Sequence, residues 1–466
     1  MRWHALIFIS LLIGSAKCQT FNGAWYGTLD AMGQQLPLVI HLSDSNAVWT
    51  GSLDSPKQKA YGIPMSTISI KELSISFNLS AIQASFEGFL TDSMVIVGTF
   101  KQGPFKAPLH FSKNSKETVA ATKIQEPKAP FPYVEEEVTI RQVINDFNIS
   151  GSITHAAVQQ KIPCLILITG SGPQDRNEEI LGHKPFLILA DQLTRAGYAV
   201  LRMDDRGVGK SGGKFAEATS EDFSHDIEAA LQFVKSLSYV DTQKVFLVGH
   251  SEGGMIANMV AARHPEVFGV VSLAGPGIVG SALLTEQQCL IAKANGANKK
   301  ALKKIRNFTT SFYPLLGYDS LSVVSEKAKA FLSDYAKSVK KKDIRKSGVP
   351  DRETWIKMNL DAYVNSWMLY FLNYNPKEDL QKIQCHYLAL NGTSDLQVPA
   401  DMNLNAISAF CNPPKEKVKE IKALEGLNHL FQPSKTGNPT EYGSIEITFD
   451  PSAIQSIISF LNKTTH

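Results

Sequence analysis

The sequence predicts an α/β fold, a mostly parallel sheet flanked by helices, preceded by a small all-β domain. Three observations carry that expectation. From residue 134 onward short apolar runs alternate with segments of helical period, the order that builds a parallel sheet covered on both faces. From Phe21 to about Phe111 apolar and polar residues alternate in short runs such as LPLVIHL, ISISFNL and MVIVGTF, separated by Gly, Asn, Asp and Ser, as antiparallel strands do. Between the two, SKNSKETVAATKIQEPKAPFPY loses the alternation and collects Lys, Thr, Ala and three prolines, the composition of an interdomain linker.

Taken in order, the chain opens on MRWHALIFISLLIGSAKCQT, with a charge at Arg2, an apolar run from Ala5 to Ile13 and small residues from Gly14 to Ala16. This is the pattern of a secretory signal peptide cleaved after Cys18. Lys17 argues against lipid attachment at Cys18, and the apolar run is shorter than a bilayer span. The expected plan is a signal peptide over 1–18, an all-β domain over 19–113, a linker over 114–133 and a catalytic domain over 134–466. No later run is long enough to cross a membrane, so an exported protein, periplasmic or secreted, is expected. A net charge of +3 over 466 residues is too small to argue for nucleic acid as a partner. Cys164, Cys289, Cys385 and Cys411 are too sparse for a disulfide scaffold and lack metal-site spacing; Cys164 and Cys385 open apolar runs and read as core thiols, with one bridge left open.

Within the second domain, 134–140 and 146–153 read as two antiparallel entry strands. IPCLILITG, YAVLRMDD, KVFLVGH, FGVVSLAG, IQCHYLALNG and VKEIKALEG follow as strands, with helices at 185–196, 219–237, after Ser251 and at 451–461. The alternation stops between about 281 and 377, where a Lys-rich, helix-forming insert intervenes and is the candidate lid. Its basic runs read as solvated helix faces. Its aromatic stretch, Trp355 to Tyr374, fits either the lining of an apolar pocket or the insert's own core.

The chemistry centres on Gly249-His250-Ser251-Glu252-Gly253, set between an apolar strand and a helix. A G-x-S-x-G sequence in that setting forms a sharp turn that lifts the serine hydroxyl clear of the sheet. Serine becomes a nucleophile when an imidazole takes its proton and a carboxylate orients that imidazole. Of eleven histidines, five follow Gly249. His250 lies inside the turn, His264 one helix beyond it, His386 within a strand and His466 at the last position, which leaves His429 in the loop LEGLNHLF. The carboxylate belongs in the turn after the preceding strand. There LALNGTSDLQVPA offers Asp395, with Asp401 second because it reads as a helix N-cap before Met402. An oxyanion needs two backbone N–H donors. Glu252, next after the serine, supplies one, and the loop GSGPQDR supplies the other, from Ser171 first and Gly172 second; Pro173 has no N–H.

Two other motifs fail on their spacing. GVGKS resembles a phosphate loop, but Asp204 stands where the first glycine is required. GSGPQD lacks the third glycine of a dinucleotide fingerprint.

With these residues in place, GSGPQDRNE, GHKPF, DDRGVGKSGG, GHSEGGMIA, LAGPG, LNGTSDLQVP and GLNHLFQ resemble a bacterial branch of serine esterases close to the serine-aminopeptidase-like (S33-type) members of the α/β-hydrolase superfamily. The resemblance runs from about Glu135 to Asn462. It implies an α/β-hydrolase fold with a helical lid, hydrolysis of a small-molecule carboxylic ester through an acyl-serine, and no metal or organic cofactor. GSGP stands where much of the superfamily carries a His-Gly motif.

Three rival readings stay open at this point. The same triad could cleave short peptides, and Glu252, Asp175, Glu178 and Glu179 are then the candidate anchors for a free α-amino group. The β domain could be a binding module for a surface glycan or lipid. A dead hydrolase used for binding is hard to reconcile with an unbroken triad.

Overall fold

The computed structural model describes residues 21–465 apart from 32–33, 46–47, 59, 72, 91–94, 104, 114–123, 158–159, 340–343 and 345–350. The expected signal peptide, residues 1–18, lies outside the described residues. The rest divides into two compact units.

The N-terminal unit is a nine-stranded antiparallel sheet: β1 (Gly23–Ala31), β2 (Gln34–Ser45), β3 (Val48–Ser55), β4 (Ala60–Pro64), β5 (Thr67–Lys71), β6 (Ser74–Leu79), β7 (Ala84–Leu90), β8 (Val95–Gln102) and β9 (Phe105–Ser112). Their order is β4-β3-β2-β1-β9-β8-β7-β6-β5. The two end strands, β4 and β5, are consecutive in the chain and joined by Met65 and Ser66 alone, which brings the ends of the sheet together. The alternation read in the sequence becomes an inner face. Leu38, Ile40 and Leu42 of β2 meet Phe77, Phe86 and Phe111 in one buried cluster, where Phe86 stacks on Phe77 at 5.2 Å and meets Phe111 edge-on at 5.3 Å. Trp25 is fully buried and its indole N–H donates to the carbonyl of Phe21, so its one polar atom is satisfied.

The second unit is an eight-stranded sheet: β10 (Val134–Gln142), β11 (Phe147–His155), β12 (Ile162–Ile168), β13 (Ala199–Met203), β14 (Val240–His250), β15 (Gly269–Leu273), β16 (His386–Gly392) and β17 (Lys419–Leu424), in the order β10-β11-β13-β12-β14-β15-β16-β17. The entry hairpin is antiparallel, and every pair from β13 to β17 is parallel. Helices cover both faces. Helices α1 (Pro185–Arg195) and α11 (Pro451–Thr465) pack on one. Helices α2 (Ser220–Ser236), α3 (Glu252–Arg263) and α10 (Ala400–Phe410) pack on the other. Helix α2 starts where a capping box closes between Thr219 and Asp222.

Between β15 and β16 the insert forms α4 (Gly280–Ala294), α5 (Lys299–Phe312), α6 (Leu321–Ser338), α7 (Arg352–Tyr363) and α8 (Ser366–Asn373), followed by the short α9 (Lys377–Leu380). Its aromatic stretch packs into two buried clusters, one of the insert itself and one shared with α3. Trp355 and Tyr363 pack into the insert's own cluster. Trp367, Tyr370, Phe371 and Tyr374 pack with Met255 and Met259 of α3.

Within the stretch read as linker, the side-chain oxygen of Gln125 accepts the N–H groups of Thr448 and Phe449. Two expectations are revised. Asp401 is not an N-cap, because α10 begins at Ala400 and Pro399 takes that place. The open disulfide is absent, since Cys164, Cys289, Cys385 and Cys411 are all free and buried. Among the described residues no helix is long and apolar enough to cross a membrane.

Candidate active site

Ser251 follows β14 and precedes α3 with φ 54° and ψ −121°, a left-handed backbone that a non-glycine residue adopts only when its surroundings force it. The two flanking glycines show what does the forcing. A Cβ on Gly249 would lie 2.0 Å from the carbonyl oxygen of Gly253, and one on Gly253 would lie 2.1 Å from that of Ile168. Strand and helix approach too closely for any side chain, and the turn leaves the hydroxyl of Ser251 projecting over the sheet edge.

Asp395 and His429 arrive from neighbouring strand ends. Asp395 follows β16, and its Oδ1 accepts the backbone N–H groups of Gln397 at 2.7 Å and Val398 at 2.9 Å. That leaves Oδ2 for His429, 2.8 Å from Nδ1. His429 follows β17 in a loop organised by Asn428, whose side-chain oxygen accepts the N–H groups of Leu430 and Gln432. Its Nε2 stands 3.0 Å from Ser251 Oγ. With Nδ1–H donated to the carboxylate, Nε2 is the acceptor for the serine proton. Asp395 is 3% and His429 5% exposed, so little water competes for these bonds. The structure thus brings together the three side chains chosen from sequence, while Asp401 is exposed on α10.

The backbone N–H of Glu252 is the first of α3, and the first N–H groups of a helix have no partner within it. In the loop after β12, Gly170 passes close to the serine: a Cβ there would lie 3.2 Å from the Cβ of Ser251. Its own N–H is already donated to Glu178 at 2.7 Å. Gly170 is therefore excluded as an oxyanion donor, and Ser171, then Gly172, remain.

Three carboxyl groups, Glu178 and Glu252 buried and Asp205 half-buried, surround this loop, and sequence reasoning gave none of them this place. Asp205 accepts the Thr169 hydroxyl at 2.6 Å and the Gln174 N–H at 2.9 Å, holding both ends of the loop. Burial, together with the charges of Glu252 and Glu178, drives its pKa well above the usual carboxyl range, against those two bonds. Glu252 accepts from Ser220 at 2.6 Å and from the Trp367 indole of the insert at 2.8 Å; burial raises its pKa against these bonds and one to Ser171. Glu178 bonds Gly170 and His250. A cavity of about 30 Å³ beside them, lined by Gly170, Gly172, Asp205 and Glu252 among others, has room for roughly one water molecule. His250 was set aside from sequence because it lies inside the turn, and its position before the serine carried no further signal. Among the described residues no group of three His, Cys, Asp or Glu side chains is arranged to hold a metal ion.

Comparison with known proteins places this site in context. Residues 184–346 match a family model described as serine aminopeptidase, S33. The chain is 32% identical over 148 residues to esterase EstD of Thermotoga maritima, 32% of this chain and 34% of that one. It is 27% identical over 191 residues to a putative esterase, NocK, of Nocardia uniformis subsp. tsuyamanensis, 40% of this chain and 54% of that one. The matches thus span about a third and about half of these relatives' lengths. Among solved structures, the α/β hydrolase GrgF from Penicillium sp. sh18 superposes with a TM-score of 0.42 at 16% identity, covering 72% of this chain and 99% of that one. By its strand order, its strained turn at Ser251 and the match over residues 184–346, the second unit has the α/β-hydrolase fold and resembles the serine aminopeptidase, S33, family.

Proposed function

We propose that the protein is a serine hydrolase of carboxylic esters that works through an acyl-serine. The observation that carries the reading is the hydrogen-bonded line from Asp395 Oδ2 to His429 Nδ1, 2.8 Å, and from His429 Nε2 to Ser251 Oγ, 3.0 Å. Ser251 Oγ attacks the ester carbonyl while Nε2 takes its proton, and Asp395 steadies the imidazolium that results. The N–H groups of Glu252 and Ser171 receive the negative oxygen of the tetrahedral intermediate. The intermediate collapses, the alcohol leaves with the proton from Nε2, and water repeats the sequence on the acyl-serine to release the acid. The esterase names of both sequence relatives support the bond type. The insert acts as the lid and shapes the acyl pocket through Trp367 and Phe371, and the chain is exported after loss of residues 1–18.

The peptidase reading is the weaker one for a structural reason. A free α-amino group needs an available carboxylate, and three of the four candidates already hold partners. Glu252 holds Ser220 and Trp367. Glu178 holds Gly170 and His250. Asp175 accepts the N–H groups of Asn177 and Glu179.

The test is hydrolysis of p-nitrophenyl esters from acetate to decanoate, beside aminoacyl p-nitroanilides, by the protein and its Ser251→Ala variant. Ester turnover should fall by roughly 10⁵–10⁶-fold in the variant. Anilide turnover with silent esters would move the protein to the peptidases, and activity surviving in Ser251→Ala would end the reading.

A further inference from the structure

The donors and the base of this site sit on loops that are far apart in sequence. The segment from Thr169 to Gln174 follows β12, and His429 lies in the loop after β17. Their relative position sets whether the oxyanion donors and the imidazole face the same carbonyl carbon.

One buried carboxylate–imidazole pair spans both loops. Glu178 is 1% exposed. Its Oε1 accepts the N–H of Gly170 at 2.7 Å and lies 2.8 Å from Nδ1 of His250. The other ring nitrogen of His250, Nε2, is 2.9 Å from the carbonyl oxygen of His429. A carbonyl only accepts, so Nε2 carries a proton, and a carboxylate oxygen at Nδ1 makes that nitrogen a donor too. Both nitrogens donate, and the ring is held as an imidazolium. A buried imidazolium beside a buried carboxylate is stable only while the pair is intact, which makes the spacing between the two loops stiff.

We propose that Glu178 and His250 are a positioning pair that fixes the oxyanion loop, through Gly170, against the backbone of His429. The proposal rests on the serine-hydrolase reading above. Asp205 holds the two ends of the oxyanion loop independently, so loss of Glu178 leaves the loop attached and frees only its register. The consequence falls on the chemical step more than on the fold.

The groups facing His250 are Glu178 from the loop after β12, Asp395 from the turn after β16 and the ring of His429, 4.9 Å away between centroids; Glu178 and Glu252 both act on the nearby Asp205 through their charges. Burial presses the His250 pKa down. The charge and hydrogen bond of Glu178, with the His429 carbonyl and the charge of Asp395, outweigh it and leave the pKa above the ordinary histidine value. The pair therefore keeps its proton as pH rises past that value and loses it only at the higher folded-state pKa, where kcat should decline.

The experiment is the pH dependence of kcat and KM on a p-nitrophenyl ester for the protein, Glu178→Gln, His250→Gln and the double variant, with circular dichroism and melting recorded for each. Glutamine keeps one acceptor oxygen but cannot hold an imidazolium. In Glu178→Gln kcat should fall by about 10–100-fold, the scale of a small misplacement of reacting groups, with KM little changed. The alkaline decline of kcat should move to lower pH, and in His250→Gln that limb should vanish. The double variant should be no worse than the poorer single one, because the two residues act as a unit. Wild-type kcat with an unmoved alkaline limb overturns the proposal. So does a loss of activity that only tracks the fraction of unfolded protein, and so does failure of both single variants to fold, which makes the pair a folding element. Ser251→Ala run alongside separates the two ideas. An active Ser251→Ala ends the hydrolase reading, whereas an inactive one beside a normal Glu178→Gln ends only the positioning role.

Discussion

In the antiparallel sheet each strand turns back beside its neighbour, so strand ends of both directions share every edge. Its strands alternate accordingly: β6 runs exposed, buried, half-buried, buried, exposed, buried. In the second unit the strands from β13 to β17 run parallel, every return passes through a helix or the insert, and β16 is buried at all seven positions. All the C-terminal ends of these strands then lie along one edge. Ser251 follows β14, Asp395 follows β16, His429 follows β17 and Ser171 follows β12. Strand direction, more than composition, is what brings Ser251, Asp395 and His429 together at one edge of this sheet.

The largest expected effect comes from disturbing one of those ends without disturbing the sheet. Asp395→Asn keeps Oδ1 for the N–H groups of Gln397 and Val398, but offers His429 an amide where a carboxylate stood. The imidazole is then held in the wrong tautomer, and kcat for an ester should fall about 10⁴-fold with an unchanged circular dichroism spectrum. A fall of less than tenfold would mean that another acid orients His429.

The matching change in the antiparallel sheet should touch stability alone. Phe86 is fully buried between Phe77 and Phe111. Phe86→Ala should cost about 3–5 kcal/mol, seen as earlier unfolding of that unit by Trp25 fluorescence. Ester kcat, measured below that transition, should stay at the wild-type value. A kcat that drops in step with the Phe86→Ala melt would erase the functional contrast between the two sheets.

The same difference explains what was legible in the sequence. Strand periods, the turn at Ser251 and the Ser-Asp-His order are local patterns, and the sheet order follows from the helix between each pair of parallel strands. His429 emerged because the other histidines were placed elsewhere by their elements, and Asp395 because it follows a strand directly. The carboxyl set of Glu178, Asp205 and Glu252 could not be read this way. Its members come from two loops and the first turn of α3, and each is defined by partners distant in sequence, as when Trp367 reaches Glu252 across 115 positions. The docking of Gln125 on Phe449, 324 positions apart, was hidden for the same reason, beneath a composition that says only linker. The start of α10 was misjudged because Pro399, without a side-chain acceptor, takes the N-cap position that Asp401 is better equipped to fill.

The smallest effect sharpens the comparison through pH. In the antiparallel sheet Asp54 accepts the Gly62 N–H at 2.7 Å, and that bond, with a lesser one from His41, holds its pKa below the ordinary aspartate value. Its contribution to stability is present above the unfolded pKa and is lost as pH falls. Glu252 behaves in the opposite sense. Burial raises its pKa in the folded state, so folding takes up a proton between the unfolded and folded values, and stability declines as pH rises through that window. Glu252→Gln keeps an oxygen to accept from Ser220 and Trp367 and cannot ionise. Urea unfolding of the second unit at pH 4 and pH 8 should therefore show the variant gaining on the wild type as pH rises, and the two converging at low pH. Asp205 carries a shift of the same sign, raised in part by the charge of Glu252, so Glu252→Gln eases that shift too and adds to the variant's gain as pH rises. An equal gap at the two pH values would mean that the Glu252 carboxylate is as comfortable in the fold as in water, and that its three hydrogen bonds offset its burial.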